Sequence, residues 1–285
     1  MAQILEGKLV VAAINQRVLS QVEQLATKGI TPALAIVRVG EKSDDIAYER
    51  GAIRRCDSLK VNVVTFTLAA EVSQEELLST IRQINENSEI HGCLLLRPLP
   101  RHLDDNLIRN ALDPAKDVDG ITDGSLAGVF AGIPTGFPPC TPQACMEILD
   151  HFGIETNGKK AVVIGRSLVV GKPAAMMLIQ KNATVTICHT RTVDMPGVCR
   201  EAEILIVAAG RAGLVGKDYF APGQIVIDVG INFDDQGKIC GDVNFPEGEA
   251  IVAALTPVPG GVGTVTTSVL VKHVVEAAQR LTSNL

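Results

Sequence analysis

The chain has 285 residues, 46% of them hydrophobic but only 3% aromatic with no Trp, so one large domain or two can bury an aliphatic, alanine-rich core. A net charge of −6 without a basic tail argues against nucleic acid as a partner, and no run approaches the roughly 18 apolar residues that span a bilayer. Seven cysteines without C-x-x-C spacing and five scattered histidines argue against a zinc site and a disulfide framework and fit the reducing cytoplasm.

The opening Met1-Ala2-Gln3-Ile4-Leu5-Glu6-Gly7-Lys8 lacks the charged-then-apolar plan of a signal peptide. Over 8–27, Leu9, Ala12, Ala13, Val18 and Leu19 fall at helical spacing. Residues 33–37 read as a buried strand ended by Gly40, 44–58 as a helix and 62–68 as a strand. Ser73-Gln74-Glu75-Glu76 is a capping box that starts the next helix, and 93–96 form a buried strand stopped by Pro98 and Pro100. This alternation predicts a parallel sheet with helices on both faces.

Prolines and glycines between Gly128 and Pro139 mark the approach to a domain boundary. Thr141 is expected to cap the following helix, with Pro142 at its first position. Strands at 161–164, 184–188, 204–208 and 225–229, with helices at 171–181 and near Val198, then compose a Rossmann-like unit. A last helix over 266–281 carries an amphipathic face that can pack back on the first domain. The expected fold is thus α/β with two domains: 1–140 plus 266–285, and a nucleotide-binding domain over 141–265.

The most informative stretch is Ala161-Val162-Val163-Ile164-Gly165-Arg166-Ser167 followed by Gly171-Lys172-Pro173. A strand that feeds a helix N-terminus through a glycine turn is an anion site, because free N–H groups and the helix dipole face the ligand. The pattern G-R-S-x-x-x-G-K-P departs from the usual G-x-G-x-x-G, and an ordinary α/β crossover would use the same turn. The strand at 184–188 ends in Cys188-His189-Thr190-Arg191, where an NAD site would carry an acid. Arg191 and Arg166 suit a 2′-phosphate instead, which favours NADP over NAD; a lone Arg191 would also suit a solvated loop.

Several segments together carry a family resemblance along nearly the whole chain. They are Leu5-Glu6-Gly7-Lys8, Tyr48, Pro98-Leu99-Pro100, Lys116-Asp117-Val118-Asp119-Gly120, Pro139-Cys140-Thr141-Pro142, Gly165-Arg166-Ser167, Ala183-Thr184-Val185-Thr186, Ile227-Asp228-Val229-Gly230-Ile231-Asn232 and Pro257-Val258-Pro259-Gly260-Gly261-Val262-Gly263. The chain resembles the bacterial-type bifunctional methylenetetrahydrofolate dehydrogenase/methenyltetrahydrofolate cyclohydrolases. The resemblance implies a homodimer in which a tetrahydrofolate derivative lies in a cleft between a catalytic and an NADP domain. It implies Tyr48 and Asp119 as catalytic and folate-binding residues, with Pro259, Gly260 and Gly261 also at the substrate. It places Gly165, Arg166, Ser167, Thr190 and Ile231 at the cofactor.

The chain departs from the family pattern at the catalytic pair. The family lysine falls four residues after the tyrosine, where this chain has Ala52, and the family glutamine falls at Leu96. Thr264 also replaces a proline. Of the nearby arginines, only Arg55 shares a helix face with Tyr48 and Ala52; strand alternation turns Arg97 away from Leu96.

Hydride transfer from the methylene bridge needs alignment above all. Hydrolysis of the methenyl bridge needs general acid–base chemistry that alanine and leucine cannot perform. The expected activity is therefore an NADP-dependent methylenetetrahydrofolate dehydrogenase with cyclohydrolase weak or lost. Two alternatives stand beside it: a non-catalytic folate- or nucleotide-binding relative, and a dehydrogenase of another reduced pterin. The D-V-D-G run also suits a plain turn-capping carboxylate at Asp119.

Overall fold

In the computed structural model, which describes residues 1–282, the chain divides into two compact units, Ala13–Cys140 with the chain from Thr267 onward, and Met1–Ala12 with Thr141–Thr266. The chain begins with β1 (Gln3–Ile4) and α1 (Gly7–Ala26) and continues through β2 (Ala33–Val39), α2 (Ser43–Ser58), β3 (Asn62–Leu68), α3 (Gln74–Glu86) and β4 (Gly92–Leu95). α4 (Asp105–Ala111) and α5 (Asp123–Ala131) follow. The strands form a parallel sheet in the order β3-β2-β4. β2 lies in its centre and is buried along almost its whole length, which is why it reads as a continuous apolar run.

Leu77, Ile81 and Ile84 of α3 are fully buried in one cluster with Ala35, Val37 and Leu95. Each such side chain contributes about 2 kcal/mol by leaving water. Ser73 Oγ accepts a hydrogen bond from the Glu76 N–H, as the capping-box reading requires. In the same unit the chain from Thr267 onward brings the His273 ring 5.0 Å from that of Phe137, and Arg280 stacks over Phe137.

The other unit contains α6 (Cys140–His151), β5 (Lys160–Ile164), α7 (Gly171–Gln180), β6 (Thr184–Cys188), α8 (Met195–Arg200), β7 (Ile204–Val207) and β8 (Ile225–Asp228). The hairpin β9 (Asn232–Phe233) and β10 (Ile239–Cys240) precedes α9 (Phe245–Ile251), β11 (Ala254–Leu255) and α10 (Val262–Thr282). Its six-stranded sheet is all parallel, in the order β1-β11-β8-β7-β5-β6. The strand order reverses between β5 and β7, the position where such sheets bind ligands at their carboxyl ends.

Three sequence expectations change. The N-terminal residues 1–12 leave the first domain, because β1 pairs with β11 through Gln3–Ala254 and Ile4–Leu255; two residues carry no periodicity that could reveal this. α6 begins at Cys140, so Thr141 lies inside its first turn rather than capping it. α10 begins at Val262 instead of 266, since burial of Val262 and Val265 outweighs the poor helix propensity of a Gly- and Val-rich start.

Candidate functional site

In the unit built on β3-β2-β4, one corner gathers Tyr48 from α2, Asp119 from the loop before α5, and Cys140 at the start of α6. Asp117 serves as the turn carboxylate of the D-V-D-G run: its two oxygens accept from the Ile121 N–H (3.0 Å) and the Thr122 N–H (2.8 Å). Gly120 next to it is required, since its φ is +67° and a side chain would run into Pro139. Asp119 is thereby left for another role, and its carboxyl takes the Cys140 thiol as a hydrogen-bond partner.

Burial and the neighbouring Asp117 charge push the Asp119 carboxyl up to about 7, against the Cys140 hydrogen bond and the Arg97 charge, which pull it down. Tyr48 keeps 36% of its surface exposed, yet burial around its hydroxyl and the charges of Asp119 and Cys140 raise its pKa. The Cys140 thiol is raised as well, first by burial and then by Asp119, and it also approaches the Val118 carbonyl at 3.3 Å. A thiol held this firmly protonated is a hydrogen-bond donor, not a nucleophile.

Ala52, one turn beyond Tyr48, is fully buried, and Leu96 is 7% exposed. Arg55 is half-buried on the same helix. Strand alternation does not govern Arg97, because β4 ends at Leu95. Its guanidinium grips both oxygens of Asp105, with Nε at 2.6 Å, and its charge reaches Asp119. The Lys42 ammonium bonds the Pro98 carbonyl at 2.7 Å, and the Lys116 ammonium bonds the carbonyls of Ile84 and Asn87. The sequence reading gives Cys140 no role, although the quoted P-C-T-P run contains it, and sets Arg97 aside on strand alternation, which is why its charge on Asp119 is missed.

The glycine turn lies in the other unit. Gly165 has φ +124°, and a Cβ there would run into the Ala208 carbonyl; one on Gly171 would strike the Gly165 carbonyl. Gly171 therefore permits the close strand–helix approach that a phosphate-binding turn needs, and Gly165 the close approach of the β5 and β7 ends beside it. Ser167 Oγ accepts from the Val170 N–H at 3.1 Å and shapes the turn into α7. Arg166, Ser167, Thr190 and Arg191 are exposed at the carboxyl ends of β5 and β6. A cationic, glycine-hinged strand end of this kind fits a dinucleotide phosphate.

In that unit a cavity of about 180 Å³ is lined by Gly230, Ile231, Pro259, Gly260, Gly261 and their neighbours. The structure thus brings Ile231 together with Pro259, Gly260 and Gly261, which the resemblance assigned to cofactor and substrate respectively. Among the described residues no cluster of metal-ligating side chains occurs, and no helix is long and apolar enough to cross a membrane.

Comparison with known proteins agrees with this geometry. A family model described as tetrahydrofolate dehydrogenase/cyclohydrolase, catalytic domain, matches residues 5–119, and its NAD(P)-binding counterpart matches residues 139–282. The chain is 53% identical over 283 residues to the bifunctional protein FolD of Carboxydothermus hydrogenoformans, covering 99% of each. Among solved structures, the bifunctional FolD dehydrogenase/cyclohydrolase of Campylobacter jejuni superposes with a TM-score of 0.95 at 37% identity, covering 98% of this chain and 99% of that one. The Trypanosoma brucei dehydrogenase-cyclohydrolase complexed with NADP and an inhibitor superposes with a TM-score of 0.90 at 32% identity, covering 98% of each.

Proposed function

Because the chain belongs to the tetrahydrofolate dehydrogenase/cyclohydrolase family, we propose that it is an NADP-dependent 5,10-methylenetetrahydrofolate dehydrogenase whose methenyltetrahydrofolate cyclohydrolase activity is weak or lost. The observation that carries this reading is the apolar pair Ala52 and Leu96, both buried in the unit that holds Tyr48 and Asp119. Tyr48 lines the folate ring system, and the Asp119 carboxylate accepts hydrogen bonds from the pterin amino group and ring N–H. Gly165, Arg166, Ser167, Thr190, Arg191 and Ile231 hold the cofactor, with the two arginines on the 2′-phosphate. When bound, the nicotinamide accepts the hydride. Pro259, Gly260 and Gly261 contact the substrate. NADP in the Trypanosoma brucei relative supports the cofactor assignment. We further propose a cytoplasmic homodimer, on the family resemblance.

The dehydrogenase step asks the protein to orient, not to move protons, since the two flanking folate nitrogens stabilise the cation that forms. Opening the methenyl bridge requires proton transfers between oxygen and nitrogen. The arginines cannot provide them, because a guanidinium stays protonated. The test is a parallel measurement of both half-reactions on one preparation. Hydrolysis of methenyltetrahydrofolate at a rate matching cofactor reduction, and abolished by Lys42→Ala, would transfer the catalytic role to Lys42 and overturn the proposal.

Asp119 supplies a pH prediction. Its ionised form is the acceptor, so kcat/KM for methylenetetrahydrofolate is expected to fall as the pH drops through about 7. Arg97→Leu removes a charge that favours ionisation and is expected to move that inflection upward. The same group affects stability with a definite sign. Its folded pKa lies above the ordinary value of 3.8, so ionisation costs stability as the pH rises through this interval. Asp119→Asn is therefore expected to melt roughly 4 °C higher than the parent at pH 8, with the gap closing toward pH 4, while folate binding is lost. Calorimetric melts at the two pH values check this.

A further inference from the structure

Two acids outside the folate corner are almost wholly buried. Asp242 has no exposed surface and Asp228 is 3% exposed. Each is flanked by glycine in a short sequence run, Asp228-Val229-Gly230 and Gly241-Asp242-Val243. The glycines are needed because the carboxylates sit against their backbones. A Cβ on Gly230 would enter the Asp242 carboxyl, and one on Gly241 would enter that of Asp228.

The Asp242 carboxylate collects four donors. Its Oδ2 accepts from the N–H groups of Ala209 (2.6 Å) and Gly210 (2.9 Å). Its Oδ1 accepts from the Arg211 N–H (2.8 Å) and the Asn232 side-chain amide (2.9 Å). Asp228 stands behind it. Oδ1 of Asp228 accepts from the Gly230 N–H (2.9 Å) and the Asp242 N–H (3.1 Å), and Oδ2 accepts from the Val243 N–H (3.0 Å). The Asp228 N–H in turn bonds Thr256 Oγ1 at 2.8 Å.

A carboxylate buried without partners would be very costly, whereas one saturated by N–H donors is a strong and directional strut. This one spans two strand ends. Its backbone donors belong to the segment after β7, and Asn232 belongs to the segment after β8. Both segments lie at the carboxyl edge of the sheet, on the far side of β5 from β6, where Thr190 and Arg191 follow. Asp228, which stands behind the strut, lines the cavity formed with Gly230, Ile231 and the loop of Pro259 to Gly261.

We infer that Asp242, supported by Asp228, is a positioning residue for the nicotinamide end of the cofactor. It fixes the β7 and β8 strand ends, and leaves the glycine turn and its arginines to hold the adenosine 2′-phosphate end. The inference rests on the cofactor reading proposed above. In a doubly wound sheet the two ends of a dinucleotide lie on opposite sides of the strand-order reversal, so loosening one side is separable from loosening the other.

The test compares two ligands by titration calorimetry: NADPH, and 2′-phospho-ADP-ribose, which lacks the nicotinamide. Asp242→Asn leaves one acceptor oxygen and turns an amide donor toward N–H groups. It is expected to weaken NADPH about tenfold, the loss of roughly one charge-assisted hydrogen bond, while 2′-phospho-ADP-ribose binds as to the parent. Asn232→Ala removes a single donor at a partly exposed position and is expected to weaken NADPH about threefold with the same selectivity. If Asp242→Asn does not fold, this second variant decides. Equal weakening of both ligands, or unchanged NADPH binding, overturns the inference. A parent protein that binds neither ligand instead overturns the cofactor reading itself.

Discussion

Given methylenetetrahydrofolate and NADP, the protein is expected to reduce the cofactor at least about 100-fold faster than it hydrolyses methenyltetrahydrofolate, the factor that positioned general acid–base groups normally supply. The expectation follows from the two buried apolar side chains at positions 52 and 96. Neither holds or moves a proton, and the remaining titratable groups of the corner are ill suited. The Cys140 and Tyr48 protons are held more tightly than usual, and Asp119, whose carboxyl is pushed up to about 7, is occupied by the pterin in the proposed reading rather than aimed at the methenyl carbon. Restoring the family pair by Ala52→Lys with Leu96→Gln is expected to raise hydrolysis about 100-fold. Ala52→Lys alone should recover less, because a desolvated ammonium without a polar partner loses its proton more readily and is less well aimed. Absorbance of the methenyl compound and of NADPH follows the two steps separately. Equal gains from the single and double variants would show that the glutamine position contributes nothing.

The second large effect concerns Gly165. Replacing it with alanine is expected to cost about 3 kcal/mol of stability, combining backbone strain at φ +124° with the intrusion of a methyl group on the Ala208 carbonyl. The turn must open to accommodate that group, and dehydrogenase activity is expected to fall at least about 100-fold as the phosphate-facing backbone shifts. Gly158 provides the control. It also has positive φ, +74°, but a Cβ there meets nothing within 4 Å. Gly158→Ala should cost only the strain, about 1 kcal/mol, with activity intact. Chemical denaturation and NADP titration of the two variants check the contrast. Similar losses in both would mean that strain alone, and not the close approach of β5 and β7, makes Gly165 necessary.

Much of the molecule was legible from local pattern. The strands over 62–68 and 184–188 match β3 and β6, and the glycine turn leads into a helix at Gly171. Ser73 caps α3 through a bond three residues away. Each of these features depends on neighbours in the chain, so spacing, capping chemistry and glycine placement suffice to reveal it. That Ala52 and Leu96 stand where the family pattern has lysine and glutamine is a comparison the resemblance supplies, and the structure adds that both are buried.

Other features depended on encounters between distant residues. β1 joined the nucleotide-binding sheet through Leu255 and Ala254, some 250 positions away by numbering. The division of labour between Asp117 and Asp119 appeared only when Cys140 and the Ile121 and Thr122 amides took their places. Arg97 reached Asp119 because its strand had already ended, and Asp242 acquired its four donors from segments after two different strands. Local sequence determined which elements form, because those are set by side chains a few bonds apart. Tertiary structure alone decided which acids brace loops and which are left without backbone donors, because a carboxylate's role is set by the donors and charges that folding brings to it.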